Sequence, residues 1–158
     1  MKYWLVANYK INEVKIVETN LKNQSFDYYL PKIITKKYNQ NPKEEVMFPG
    51  YIFININIDK YSSVKYTKGI KNIIKFGENI SYITSEEIES ISRVEKLSRL
   101  DPLEPKIKIG QEVNIKSGTF KGNIAKICSL PSKKRVGVLL HILGSFRRIN
   151  ISEKDLAF

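Results

Sequence analysis

Met47-Phe48-Pro49-Gly50-Tyr51-Ile52-Phe53-Ile54-Asn55-Ile56-Asn57-Ile58, followed at 67–77 by Thr-Lys-Gly-Ile-Lys-Asn-Ile-Ile-Lys-Phe-Gly, decides how this chain folds. Ile52, Ile54, Ile56 and Ile58 fall on one face of an extended strand, and Tyr51 and Phe53 fall on the other, because successive strand side chains alternate. The spacing predicts one strand over 47–58, entered through a rigid Pro-Gly pair and exposing aromatic rings near its start. A basic turn then leads to a second strand over 70–76. Aromatic rings on a stiff strand cover much area at little rotamer cost, which suits docking better than catalysis.

Working outward, residues 3–9 are aromatic and β-branched enough for a buried strand. Asn12 is expected to cap a helix whose apolar stripe is Val14, Val17 and Leu21. Residues 26–38 read as extended and interrupted at Pro31, and 39–42 as a loop, with Glu44 and Glu45 solvated beside it. A short helix is expected over 59–66. Thr84-Ser85-Glu86-Glu87 has the form of a capping box opening a third helix, with Ile88, Ile91, Val94 and Leu97 as its stripe. The order β-α-β-β-α-β-α implies an α+β fold, an antiparallel sheet with helices packed on one face.

Pro102 and Pro105 mark a linker over 100–107, separating a module at 1–99 from one at 108–158. The second module alternates: Val113 and Ile115, Ile124 and Ile127, Val136, Val138 and Leu140, then Ile149 and Ile151. Short alternating runs with glycines between them imply a small five-stranded barrel.

The 158 residues carry 27 basic and 16 acidic side chains, a formal charge of +11. The modules share it: 16 minus 11 gives +5 for 1–100, and 11 minus 5 gives +6 for 101–158. Such a charge attracts polyanions over long range, so nucleic acid is the expected partner class. No apolar run approaches a membrane span, nothing near Met1 resembles a secretory signal, and the single Cys128 suits a reducing cytoplasm. Cys128 reads as core filler and His141 as a partly buried strand residue. With one histidine, one cysteine and no glycine-rich phosphate loop, neither a metal, a cofactor nor an enzymatic role is expected.

These residues resemble a known family. Phe48-Pro49-Gly50-Tyr51-Ile52-Phe53 is similar to the Phe-Pro-x-Tyr-hydrophobic-Phe strand of the NusG transcription elongation factors. Thr67-Lys68-Gly69-Ile70 with Ile74-Lys75-Phe76-Gly77 resembles the RfaH-like branch, and residues 110–122 resemble a KOW motif. The likeness runs from Tyr3 to Leu156. It implies an N-terminal NGN domain and a C-terminal KOW domain, in a monomeric elongation and antitermination factor that suppresses pausing. A housekeeping NusG-type factor stays open, as does a KOW-bearing RNA- or ribosome-binding protein.

What the resemblance implies about sites follows position by position. Leu5, Phe48, Pro49, Tyr51, Phe53, Phe76 and Leu97 match positions that grip the clamp helices of the largest RNA polymerase subunit, and Ser62 and Ser63 stand where the family touches the opposite lobe. Lys10, Lys15, Thr67 and Lys68, with Lys22 and Lys71 nearby, match the surface facing the single-stranded non-template DNA. Lys68 replaces an arginine there and lacks its bidentate fork. Ile142, Leu143, Gly144 and Phe146 match the hairpin tip that recruits the ribosomal protein NusE or, in NusG, Rho. Leu139-Leu140-His141-Ile142-Leu143 is similar to the run that lets the RfaH C-terminal domain form an α-helical hairpin instead. Such a helix would have to accommodate Gly137 and Gly144 at about 0.8–1 kcal/mol each.

Overall fold

The computed structural model describes residues 2–103, 124–128, 130–145 and 148–150. In chain order its elements are β1 (Lys2–Tyr9), α1 (Val14–Asn23), β2 (Asp27–Tyr29), β3 (Lys32–Thr35), β4 (Lys43–Val46), β5 (Tyr51–Asn57), α2 (Tyr61–Lys65), β6 (Ile70–Ile73), β7 (Lys75–Phe76), β8 (Asn79–Ile83), α3 (Ser85–Leu100), α4 (Ile124–Cys128), α5 (Ser132–Ser145) and β9 (Arg148–Asn150). The chain divides into two units. The first takes its described residues from 1–30, 50–84 and 146–158, the second from 31–49 and 85–145.

The first unit is built on β1. Its run Leu5-Val6-Ala7 is completely buried, as are Ile52, Phe53 and Ile54 of β5. Consecutive buried residues mean that both faces of these strands are covered, so the expected polar or open face on β5 is absent. β5 lies antiparallel along one side of β1, with Val6 opposite Phe53 and Leu5 opposite Ile54. β6 and β8 share the other side of β1, and β2, β7 and β9 complete an antiparallel sheet. At Ile74 the chain crosses between neighbours: its N–H donates to the Val6 carbonyl, and its own carbonyl accepts from Ser81 N–H. This splits the expected 70–76 strand into β6 and β7.

The strand expected over 47–58 begins at Tyr51 instead. Gly50 sits at φ +89°, a backbone region that breaks extension, and its carbonyl accepts the Tyr9 N–H at 2.9 Å and the Asn8 side-chain amide at 3.0 Å. Glu44 and Glu45, read as solvated beside the 39–42 loop, lie on β4. β8 was also not legible in the element order. The first helix starts at Val14 behind a 3₁₀ turn (Ile11–Glu13), with Glu13 rather than Asn12 at its cap position and no capping side chain. Val17 and Leu21 are buried as the periodicity requires.

In the second unit β3 pairs with β4, Lys32 opposite Val46 and Thr35 opposite Lys43. The other edge of β3 is closed by α3. Lys32 N–H donates to Glu95 Oε2 at 2.5 Å, and Ile34 N–H donates to Ser98 Oγ at 3.0 Å. Leu103 adds a parallel bridge at Thr35, through Leu103 N–H to the Ile34 carbonyl and Lys36 N–H to the Leu103 carbonyl. Helix α3 opens at Ser85, so Thr84 and Glu87 occupy the two ends of the expected capping box, and Glu87 is buried.

The extended reading of Ile124, Ile127, Val136, Val138 and Leu140 does not hold: these residues lie in α4 and α5. The KOW-like stretch 110–122 lies outside the described residues, as do Val113, Ile115 and Ile151 of the expected barrel, whereas Ile149 lies in β9. Along α5 the buried residues are Arg135, Leu139, Ile142 and Leu143, spaced i, i+4, i+7 and i+8 on one helical face. The two-residue alternation of valines had disguised that face, because its first member is an arginine. His141, expected on a strand, is exposed on α5.

Gly69 fixes how the basic turn meets α1. It stands at φ +96°, and a Cβ there would come 2.4 Å from Val17 Cγ2. Gly69→Ala is therefore expected to cost about 1–3 kcal/mol through overpacking, beyond the cost of its left-handed backbone. Gly77→Ala, at φ +65° with open space around its Cβ, should lose only the backbone part, about 1–2 kcal/mol. Urea unfolding midpoints of the two variants test the difference.

Candidate functional sites

Strand register sorts the aromatic positions. Residues directly opposite in an antiparallel pair share a face, so Tyr51 and Phe53 lie with Asn8 and Val6. Trp4 belongs to the same face and stands opposite Ile83, from which alternation leads through Ser81 to Asn79, the partner of Phe76. Tyr51, Phe53 and Phe76 are thus brought to one face of the sheet. Leu5 is not: opposite Ile54 and Tyr82, it points to the other face, where Tyr3 meets Tyr82 edge-on at 5.4 Å. Val6 and Trp4 take the place foreseen for Leu5, and the alternation of β1 was the signal that would have found them.

The expected exposure of this ledge is corrected as well. Phe53 is 0% exposed, with its ring 6.4 Å from that of Tyr29, and Tyr51 and Phe76 are half-buried. In the second unit Phe48 is buried, Pro49 is half-buried, and Leu97 is 61% exposed on α3.

The segment leading to Phe48 is held by the C-terminal helices. Arg135 of α5 is fully buried, and its Nε donates to the Met47 carbonyl at 2.7 Å. Its Nη1 donates to the Leu130 carbonyl at 2.7 Å, and its Nη2 pairs with Glu45 Oε1 at 2.6 Å. An arginine cannot shed its charge, so each of these acceptors offsets desolvation that would otherwise oppose burial. Cys128 of α4 is buried beside them and donates its thiol to Met47 Sδ at 3.8 Å. Burial pushes that thiol up to about 12, the nearby guanidinium opposing the shift only partly. Core filler was the right reading of Cys128. Ile142 and Leu143 are buried on α5 with Gly144 half-buried, not displayed at a hairpin tip, and Phe146 lies outside the described residues.

The basic positions form a second feature, in the first unit. Lys15 and Lys22 lie seven residues apart on the outer face of α1, and Lys15 and Lys68 line one shallow depression with Ile16, Thr19 and Asn20. The Asn20 amide donates to the Lys68 carbonyl at 3.5 Å, fixing the turn beside the helix. Lys10 is exposed and ion-paired with Glu13 at 3.8 Å, while its N–H donates to the Gly69 carbonyl at 3.1 Å. Lys71 is exposed on β6.

Thr67 departs from its expected role as a DNA contact. It is 5% exposed, its hydroxyl donates to the Ser63 carbonyl at 2.9 Å, and it accepts from Gln24 Nε2 at 2.9 Å. Its hydroxyl ties α2 to α1 and positions Lys68. Ser63 is exposed and Ser62 half-buried on α2. Sequence reasoning passed over Tyr66, an exposed ring beside this turn with Lys65 Nζ 5.5 Å from its centroid. An aromatic ring amid lysines is a stacking surface for unpaired bases.

Among the described residues, no cluster of histidine, cysteine, aspartate or glutamate is arranged to hold a metal ion, and no helix is long and apolar enough to cross a membrane. An antiparallel sheet, an aromatic strand after a Pro-Gly turn and a cationic helix face now stand together. Residues 2–92, more than half of the chain, match the family described as NusG, transcription termination factor nusG. The chain belongs to this family of transcription factors, and it has the family's N-terminal type of α+β fold, an antiparallel sheet with helices packed on it. It is also similar to a solved structure described as "Domain interaction in Thermotoga maritima NusG", at 18% identity and a TM-score of 0.42, over 72% of this chain and 69% of that one. No curated protein sequence matches it.

Arg135 and Cys128 yield a direct test of the helical C-terminal segment. At pH 8 a thiol buried and pushed up to about 12 is almost wholly protonated, so labelling by a disulfide reagent should be at least tenfold slower than for a free cysteine. Arg135→Ala leaves the Met47 and Leu130 carbonyls without their donor and should weaken this packing by roughly 2–5 kcal/mol. Labelling of Cys128 in that variant should accelerate accordingly.

Proposed function

We propose that this protein is a specialised, RfaH-like member of the NusG family, an elongation and antitermination factor held closed by its C-terminal helices. In the open state the face bearing Tyr51, Phe53 and Phe76, together with Phe48 and Pro49, grips the clamp helices of the largest RNA polymerase subunit and suppresses pausing. Ser62 and Ser63 contact the opposite lobe. The lysines at 15, 22 and 68, with Tyr66, hold the unpaired non-template strand by charge and stacking. The released C-terminal module, refolded as a KOW barrel, presents Ile142, Leu143 and Phe146 to ribosomal protein NusE and couples transcription to translation.

The observation that carries this reading is the seat of Arg135 on Met47 and Glu45. It ties a helix from the C-terminal segment to the residues that lead directly into Phe48-Pro49-Gly50-Tyr51. Burial of Phe48, which lies in the same unit as the C-terminal helices, supports the same reading, since a ring kept for a partner and closed in its absence is covered. The two glycines of α5 supply the balance. Each weakens a helix by about 0.8–1 kcal/mol relative to alanine while fitting a turn of a barrel, so the closed form is held without being locked.

Binding to core RNA polymerase tests the proposal. Glu45→Ala, which removes the carboxylate partner of Arg135, should tighten binding by favouring the open state. Gly137→Ala, whose Cβ would meet nothing within 4 Å, should strengthen α5 and weaken binding up to about fivefold. Tyr51→Ala in the Glu45→Ala background should cost ≥ ~2 kcal/mol of polymerase affinity. Wild-type binding as tight as that of Glu45→Ala and indifferent to Gly137→Ala would favour a constitutively open, housekeeping NusG-type factor.

A further inference from the structure

The tip of the β3–β4 hairpin lies in the second unit, whereas the cationic face of α1 lies in the first. Its residues, Lys36-Lys37-Tyr38-Asn39-Gln40-Asn41-Pro42-Lys43, are all exposed. Three of the eight are lysines and none is acidic; the first carboxylate on the β4 side is Glu44, exposed just past Lys43. Tyr38 is 90% exposed, the most open of the large apolar side chains described.

This tip is ordered by its own hydrogen bonds. Gln40 N–H donates to the Lys37 carbonyl at 3.0 Å, closing a turn in which Tyr38 and Asn39 are the two corner residues. Asn39 takes φ +57°, a conformation asparagine tolerates better than most residues. At the base of the loop, Lys36 N–H is fixed to the Leu103 carbonyl at 2.8 Å, and Thr35 stands opposite Lys43. Tyr38 is therefore presented from a defined corner between flanking lysines. The side-chain amides of Asn39, Gln40 and Asn41 beside it supply both donors and acceptors.

A projecting ring with cations on either side is the combination that binds a nucleotide strand whose bases are unstacked. The ring takes a base face, and the ammonium groups take the phosphates before and after it. A duplex offers phosphates but no free base face. A protein partner would favour an apolar surround, which this tip lacks. We propose that the β3–β4 hairpin tip is a second nucleic-acid site, binding unpaired nucleotides by stacking on Tyr38 with phosphate contacts from Lys36, Lys37 and Lys43. The site goes beyond the non-template contact assigned to α1 and requires none of its residues.

The test uses the full chain and anisotropy of labelled dT15, rU15 and a 15-base-pair duplex over a range of salt concentrations. Tyr38→Ala should weaken binding to a single strand about fivefold or more, and Tyr38→Trp should retain it. Replacing Lys36, Lys37 and Lys43 by Gln should lower the slope of log affinity against log salt by about 2, at roughly 0.7 for each phosphate no longer neutralised. Weaker binding to dT15, rU15 or both supports the site, and the larger loss names the kind of strand it holds. Binding of Tyr38→Ala within twofold of wild type on both strands overturns it, as does an equal loss on the duplex. Repeating the pair in a Lys15→Gln, Lys68→Gln background separates the two sites. The Tyr38 effect should persist there at the same fold-change, whether or not the α1 face itself binds the strand; its disappearance also overturns the proposal.

Discussion

A permanently charged guanidinium with no exposed surface is the constraint on which the C-terminal half of the second unit depends. Water would solvate Arg135 on every side, so its burial is tolerable only while the Met47 carbonyl, the Leu130 carbonyl and the Glu45 carboxylate are all in place. Those three acceptors come from two stretches far apart in the chain: Glu45 and Met47 at the end of β4, and Leu130 in the turn between α4 and α5. The bond network therefore specifies where α5 sits more sharply than the apolar contacts of Leu139, Ile142 and Leu143 do, since those side chains would accept many neighbours. A helix placed by apolar packing alone could slide or rotate at small cost; one placed by a buried charge cannot.

The first unit is governed by a different rule, the alternation of β1. With Val6 facing Phe53 and Leu5 facing Ile54, this one strand assigns the aromatic set to one side and the isoleucine set to the other. On the isoleucine side Tyr3 and Leu5 share the face with Tyr82. Gly69, unable to carry even a methyl group against Val17, holds the 67–69 turn beside α1, so the lysines of two elements line one depression. The cationic surface is thus a product of close backbone approach as much as of composition.

Much of this was legible in the residues. The strand alternation of 51–57, the Val17 and Leu21 stripe, the interruption at Pro31, the helix after Thr84 and the inert Cys128 all follow from local patterns. What escaped depended on partners distant in the chain. Glu44 and Glu45 read as solvated loop residues until β3 supplies their ladder, and Gly50 ends extension where Asn8 and Tyr9 capture its carbonyl. Phe53 belongs to a strand covered on both faces, which alternation alone cannot distinguish from a half-exposed one. The 124–145 region fits either period. Its valines satisfy a strand and its Arg135-Leu139-Ile142-Leu143 series satisfies a helix, and the arginine counted as polar until its acceptors were known.

The side chains that close the outer edge of β3 have a further consequence. A two-stranded ribbon normally leaves a row of unpaired amides able to recruit a strand from another molecule. Here Glu95 and Ser98 take the Lys32 and Ile34 amides, and Leu103 takes Lys36. The β3 side of the hairpin is thereby closed to strand addition from another molecule, so the segment that leads into the basic tip offers no free ladder of its own.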